Sequence, residues 1–334
     1  MDAPTRALTE SQIAQIPQRI TAPEGFDPLQ ASNPDLVKHG YPPRPSKAKN
    51  PKLRALWDDI MSRRPEIIDP KLKVGDYVHL PLSRDPLQLA EETDPTMNAT
   101  SGNWSGAVQT APPTGQTFCF AFAKWIVPAA YPPQDMKNSS DTGWIDGTYV
   151  EGSWVGLDGW SNGSVFQTGS ASQVTVKGGA IVSTSYFAWH EWFPAGYIEY
   201  SGLPITGGDF VSAFVWGTAG SNTGYVSFTN LTTNQSTGLL KLTAPPGTFI
   251  QGASAEWISE DPTGKFFPNY GAEVFIDCTS SAHTADGQTN SEQTLAGATL
   301  VNAVQPPPIG TISTAFEENS TTLYTYAYTD TSGA

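Results

Sequence analysis

From about residue 100 onward the chain alternates apolar and polar positions with a period of two. The alternation comes in runs bounded by Gly, Ser, Asn and Pro. Phe118–Ile126, Tyr149–Leu157, Ala180–Phe193, Asp209–Trp216, Tyr225–Asn230 and Val274–Cys278 are such runs, rich in Val, Ile, Thr and aromatics. A period of two sends successive side chains to opposite faces, so each run predicts a strand. After a proline break at 306–308, Thr322–Thr329 predicts a last one. No fixed-period repeat argues for a propeller. The pattern predicts an all-β fold, one two-sheet antiparallel β-sandwich, over residues 98–334.

Residues 1–97 read differently, as a mostly irregular leader and linker with one short helix. Asn50 is a candidate cap and Pro51 suits the first helical turn. Leu53, Leu56, Trp57, Ile60 and Met61 follow at helical spacing, and Arg63 and Arg64 complement the C-terminal dipole. Gly40-Tyr-Pro-Pro-Arg-Pro cannot be strand interior. The stretch from Glu91 to Thr100 reads as an exposed linker.

Charge sharpens this division. The 334 residues carry 18 basic and 32 acidic side chains. Residues 1–100 hold 13 and 14 of them, residues 101–334 hold 5 and 18, and no arginine follows Arg84. A net charge of −14 excludes a nucleic-acid binder, which needs a basic face. No window is apolar enough for a membrane helix, so no membrane partner is expected. Met1-Asp-Ala-Pro is not a signal peptide, which leaves an intracellular protein or one whose signal has been removed. The two cysteines, Cys119 and Cys278, fit no zinc pattern and are either paired or free. Seven Asn-x-Ser/Thr sequons occur, among them Asn103 and Asn230.

Two strands carry unusual faces. In Tyr186-Phe-Ala-Trp-His-Glu-Trp-Phe193, alternation groups Phe187, Trp189, Glu191 and Phe193 against Tyr186, Ala188, His190 and Trp192. Glu191 beside Trp189 fits either a half-exposed strand with a solvated carboxylate or a wet binding surface. In Trp154-Val-Gly-Leu-Asp-Gly-Trp160, the same rule groups Trp154, Gly156, Asp158 and Trp160. Here a core Trp with a turn Asp is the plainer alternative.

Six motifs then occur in order over residues 101–280: Asn103-Trp-Ser-Gly-Ala-Val, Trp154-Val-Gly-Leu-Asp-Gly, Phe166-Gln-Thr-Gly, Ala188-Trp-His-Glu-Trp-Phe-Pro, Asn230-Leu-Thr-Thr and Ala255-Glu-Trp-Ile-Ser-Glu-Asp. Together they resemble the glutamic peptidases (eqolisins, peptidase family G1). The resemblance implies a sandwich of the concanavalin A-like lectin and glucanase type, and a secreted, pepstatin-insensitive acid endopeptidase made as a zymogen. It assigns the catalytic pair to Gln167 and Glu256. It makes Trp104, Trp154 and Trp189 substrate-side tryptophans, and Asp158 and Glu191 supporting acids. Phe187 stands where the family commonly has aspartate and Phe193 where it has tyrosine, which implies a less polar cleft.

The chemistry is self-consistent. An ionised Glu256 can take a proton from water, and the Gln167 amide can donate to the developing oxyanion. Glu256 then protonates the leaving amine. A carboxylate base works in acid, where histidine is already protonated. No cofactor or metal is implied, polypeptides are the expected substrates, and a monomer is expected. The leader would act as an intramolecular inhibitor, with Lys38, Arg44, Lys47, Lys49 and Lys52 over the acidic cleft and processing between Leu87 and Ser101. Two other functions fit such a sandwich: a glycan-binding lectin, or a glycosidase using Glu191 and Glu256.

Overall fold

A computed structural model of the chain describes residues 16–75, 79–82, 98–133, 143–264, 267–287, 290–305 and 310–327. In chain order its elements are β1 (Gln18–Arg19), α1 (Asn33–Lys38), α2 (Pro51–Ser62), β2 (Glu66–Ile67), β3 (Lys71–Val74), β4 (Asn98–Ser101), β5 (Trp104–Gln109), β6 (Gln116–Ile126), β7 (Gly147–Leu157), β8 (Phe166–Lys177), β9 (Ala180–Trp192) and β10 (Ile198–Ser201). There follow β11 (Phe210–Gly217), β12 (Thr223–Asn230), β13 (Gln235–Ser236), β14 (Leu240–Thr243), β15 (Ala255–Glu260), β16 (Ala272–Thr284), β17 (Asn290–Gln293), β18 (Thr299–Gln305), β19 (Gly310–Asn319) and β20 (Thr322–Ala327).

The body is the two-sheet sandwich that the alternation predicts. One sheet runs β3-β10-β9-β8-β7-β15-β5-β18, and the other β1-β14-β12-β11-β6-β16-β20. The two join through β19, which pairs with both β18 and β20. Pairing is antiparallel except for β2 with β13 and β4 with β18. Between the layers lie Trp125, Trp192, Trp257, Phe118, Phe166, Phe228 and Phe275, all buried. Their indole N–H groups are satisfied inside: Trp257 donates to the Phe122 carbonyl at 2.8 Å, Trp125 to Ser170 at 2.9 Å and Trp192 to Ser164 at 3.1 Å.

β16 outruns its predicted span because Thr279, Ser280, Ser281 and His283 are polar yet buried against β6, which hides any alternation. The same interior holds two carboxyls. Glu151 accepts from Ser153 at 2.9 Å, and Glu273 from Ser259 at 2.5 Å. Cys119 and Cys278 are both free and buried. Cys119 belongs to the outer cluster of the second sheet and Cys278 to the inter-sheet core, so the layer separates them.

The leader departs from expectation in three ways. First, it has a second helix, α1, capped by Ser32, whose hydroxyl accepts from the Asp35 N–H at 3.2 Å. Six residues are too few for periodicity to register. Second, α2 forms at the predicted place, but Asn50 makes no capping bond. Its side chain instead donates to the Asn290 carbonyl at 2.6 Å and accepts from the Glu292 N–H at 3.3 Å. Third, β1, β2 and β3 extend edges of the body's sheets. Leu36, Leu53, Trp57 and Met61 are buried, each worth about 2 kcal/mol. The linker stretch Glu91–Met97 lies outside the described residues, as do the processing positions Leu87 to Met97; Asn98–Ser101 is strand β4.

Candidate active site

Register brings the two residues assigned to catalysis onto one face. Gln167 on β8 is opposite Gly156 on β7, and Gly156 is opposite Glu256 on β15. The row continues outward to Glu191 on β9 and to Val108 on β5. Directly opposite residues share a face, so Glu191, Gln167, Gly156 and Glu256 line up across four strands. The backbones of Gln167 and Glu256 are two strand spacings apart, about 10 Å. The next rows on this face are Trp189, Gly169, Trp154, Ile258 and Gly106, then Phe187, Ala171, Gly152, Glu260 and Trp104.

Small residues between the large ones make room for indoles to lie flat on the sheet. A Cβ at Gly156 would come within 2.8 Å of Cζ3 of Trp154, so that ring lies over the position between Gln167 and Glu256. Trp104 meets it edge-on, with centroids 4.9 Å apart. Trp154 donates its indole N–H to Glu260 Oε2 at 2.9 Å.

Three acids meet this face in different surroundings. Glu191 Oε2 accepts from Gln167 Nε2 at 2.8 Å, which fixes the amide's orientation. Glu191 is fully buried, which overturns the solvated-strand alternative. Glu256 is also fully buried, and neither of its oxygens has a hydrogen bond of good geometry. Burial pushes its carboxyl well above the ordinary range; the nearby Ser254 hydroxyl offsets part of that, and the Asp158 charge adds to it. Glu260 is pushed up to about 7, chiefly by burial, with His79 working against the rise.

Asp158 does not sit on this face by strand alternation. β7 ends at Leu157, and Asp158 turns the chain at φ 70°. Its carboxylate accepts from the backbone N–H groups of Gln251 at 2.7 Å, Gly252 at 3.2 Å and Ala253 at 2.8 Å. It thereby clamps the loop leading into β15, and its carboxyl is raised mainly by burial.

Three further residues join the site. His79, from the leader, is buried with Nδ1 3.1 Å from Glu191 Oε2 and 3.8 Å from Glu260 Oε2. Its ring meets Trp189 edge-on at 4.8 Å and tilts on Tyr197 at 5.3 Å. Burial alone would lower its pKa, but the charge and hydrogen bond of Glu191 and the charge of Glu260 raise it overall. Glu260 shares the Glu256 face at a spacing of four, as strand alternation requires. Asn103 Nδ2 reaches Glu260 Oε1 and the Pro81 carbonyl, both at 3.4 Å.

Leu80, Pro81 and Leu82 continue from His79 along a cavity of about 670 Å³, whose walls include Gln167, Trp104, Trp160, Phe193 and Glu260. Glu256 is not among its lining residues. Of the cations expected over the cleft, Arg44 donates instead to the Pro28 and Ala31 carbonyls and lies over Trp57. The leader group that meets Glu191 and Glu260 is the His79 imidazole.

The chain belongs to the Peptidase A4 family, whose model matches residues 102–326. It is similar to aspergillopepsin-2 of Aspergillus niger, with 29% identity over 205 residues, which is 57% of this chain and 66% of that protein. Its fold is that of scytalido-glutamic peptidase crystallised with a transition-state analogue inhibitor, at a TM-score of 0.51 and 22% identity, covering 68% of this chain and 98% of that one. Among the described residues no cluster of His, Cys, Asp and Glu could hold a metal ion, and no helix is long and apolar enough to cross a membrane.

Proposed function

We propose that this chain is a secreted, pepstatin-insensitive acid endopeptidase, made as a zymogen, that uses Gln167 and Glu256. The observation that carries the reading is the row Glu191–Gln167–Gly156–Glu256, an amide and a carboxyl on one face two strands apart, with the Trp154 ring over the glycine between them. Glu191 accepts one amide proton and so orients Gln167; the second remains for an oxyanion. Glu256 takes a proton from water as that water attacks the scissile carbonyl, then passes it to the leaving amine. Burial holds the Glu256 carboxyl above its ordinary range in this structure. Opening the face to water brings the carboxyl back toward its ordinary range, where a base can work in acid.

The glycosidase alternative paired Glu191 with Glu256. Their backbones are three strand spacings apart, about 14 Å. Glu191 is also engaged by Gln167. Denatured protein incubated at pH 3–4 with the acid-treated chain and pepstatin tests the peptidase reading. Cleavage undiminished by pepstatin is expected, and no cleavage at all would reject it.

His79 supplies the zymogen's plug. It bridges Glu191, which orients Gln167, to Glu260, which holds the Trp154 indole over Gly156. At acid pH Glu260, whose carboxyl is raised to about 7, is neutral and withdraws a counter-charge from the imidazolium, which favours its release. His79→Leu should therefore let the full chain cleave a quenched peptide at pH 5 without prior acid incubation, at least tenfold faster than the unsubstituted chain. Equal rates for the two chains would assign the block elsewhere.

A further inference from the structure

Among the described residues, the strap His79–Leu82 along the cavity is held, besides His79, by the Leu80 N–H to the Pro262 carbonyl at 3.1 Å and by the Pro81 carbonyl, which accepts from Asn103 Nδ2 at 3.4 Å. The rest of the leader is held in another way, and on another face.

The outer face of the second sheet is aromatic. Phe120, Trp216 and Tyr225 are directly opposite one another across β6, β11 and β12, and Phe122 and Phe214 form the next row. Phe120, Phe122, Phe214 and Trp216 are buried, and the leader packs Ile20, Tyr41, Leu56 and Ile60 against them. A soluble protein rarely leaves so large an apolar patch in water. Polar contacts tie the two surfaces. Trp216 donates its indole N–H to the Gly40 carbonyl at 2.6 Å, and Glu292 Oε2 accepts from the Leu53 N–H at 2.7 Å. Gly40 lies so close to the Tyr225 ring that a Cβ would meet it at 2.7 Å.

Backbone pairing adds three edges. β1 pairs β14, β2 pairs β13 and β3 pairs β10, extended by Ile20 N–H to Leu239, Ile68 N–H to Ser236 and Gly75 N–H to Tyr197. Aromatic contact and backbone–backbone hydrogen bonds do not titrate. The charged ties of this anchorage among the described residues include the Glu292 carboxylate on the Leu53 N–H and the pairs Lys73 with Glu199 and Lys124 with Asp59, each pair with one exposed partner, and such pairs contribute little. Acid therefore leaves this anchorage in place while it loosens the strap.

We propose that residues 16–75 are a lasting subunit of the folded protein. When the chain is cut between residues 83 and 97, they stay docked without a covalent link on the outer face of the second sheet. The mature form is then a two-chain protein whose leader is both its own former inhibitor and the cover of its aromatic face. The surface is an interface for this one partner.

The test uses the full chain with Glu256→Gln and a recognition sequence for an added site-specific protease within 83–97, so it does not depend on the chain's own activity. After the cut, size-exclusion chromatography at pH 4 followed by denaturing gel should give both fragments in one peak at a 1:1 ratio. The same chain with Leu56→Asp and Ile60→Asp should lose its leader fragment at least tenfold more readily on dilution. A body fragment that sheds the unsubstituted leader, whether it then stays soluble or aggregates, overturns the proposal. So does a substituted leader that remains as firmly bound as the original.

Discussion

Glu256→Gln is expected to lower peptide turnover at pH 3–4 by about 10³-fold or more, and Gln167→Ala by roughly 10²–10³-fold. The first removes both the base and the acid of the proposed cycle, for which ~10²–10⁴ is typical of a general acid–base group. The second removes one oxyanion donor. Neither should unfold the protein. Glu256 is buried and held protonated by that burial. A neutral amide of the same shape therefore replaces a group that is already neutral, and Tm near pH 5 should stay within a few degrees. Steady-state kinetics with circular dichroism on each variant checks both statements. Glu260 supplies the informative control. It shares the face, lines the cavity and holds Trp154. If Glu260→Gln abolishes turnover while Glu256→Gln retains it, the base is Glu260 and the assignment by motif fails.

Raising the pH from 5 to 8 should lower Tm by about 10 °C or more. Glu151, Glu256, Glu260 and Glu273 all bind their protons more tightly folded than unfolded. For each, burial is the first cause. Glu151 is raised further by the charge of Glu273, so the interior pair resists double ionisation. A carboxyl raised in this way contributes fully below its ordinary 4.5 and loses that contribution as pH climbs through its folded value, about 7 for Glu260 and about 8 for Glu273. The Glu260 rise alone corresponds to roughly 3 kcal/mol, and ~1 kcal/mol shifts Tm by about 2–4 °C in a chain of this size class. His79, also raised, loses its contribution as pH rises from its ordinary 6.5, so it acts in the same direction. The net negative charge of the body adds self-repulsion over the same range. A calorimetric series should show the fall, and Glu151→Gln with Glu273→Gln should flatten it. A Tm that holds or rises toward pH 8 would mean that these acids are hydrated in the folded state.

Much of the site was legible because strand alternation is a local rule. It assigned Trp189 and Glu191 to one face and Ala188 and Trp192 to the other, and the two sets do face the site and the inter-sheet core. At Asp158 a left-handed turn ends the strand at Leu157, so the plainer reading of a core Trp with a turn Asp holds and the acid is a loop clamp. In the leader alternation had nothing to say. Arg44 looked like a candidate for the cleft by charge alone, yet it is spent on the Pro28 and Ala31 carbonyls. His79 carries no pattern around it that announces a partner.

By itself the sequence determined the sandwich, the charge contrast between residues 1–100 and the acidic remainder, the helix at Pro51–Ser62 and, through its six ordered motifs, the family. Each depends on residue type and spacing along the chain, and so survives without knowledge of neighbours. Only the tertiary structure decided that Gln167 and Glu256 stand two strands apart across Gly156, that Glu151 and Glu273 meet inside the body, and that a leader imidazole bridges Glu191 and Glu260. Those relations are set by strand register and by the path of a chain across a sheet, which join residues far apart in sequence and leave no local trace.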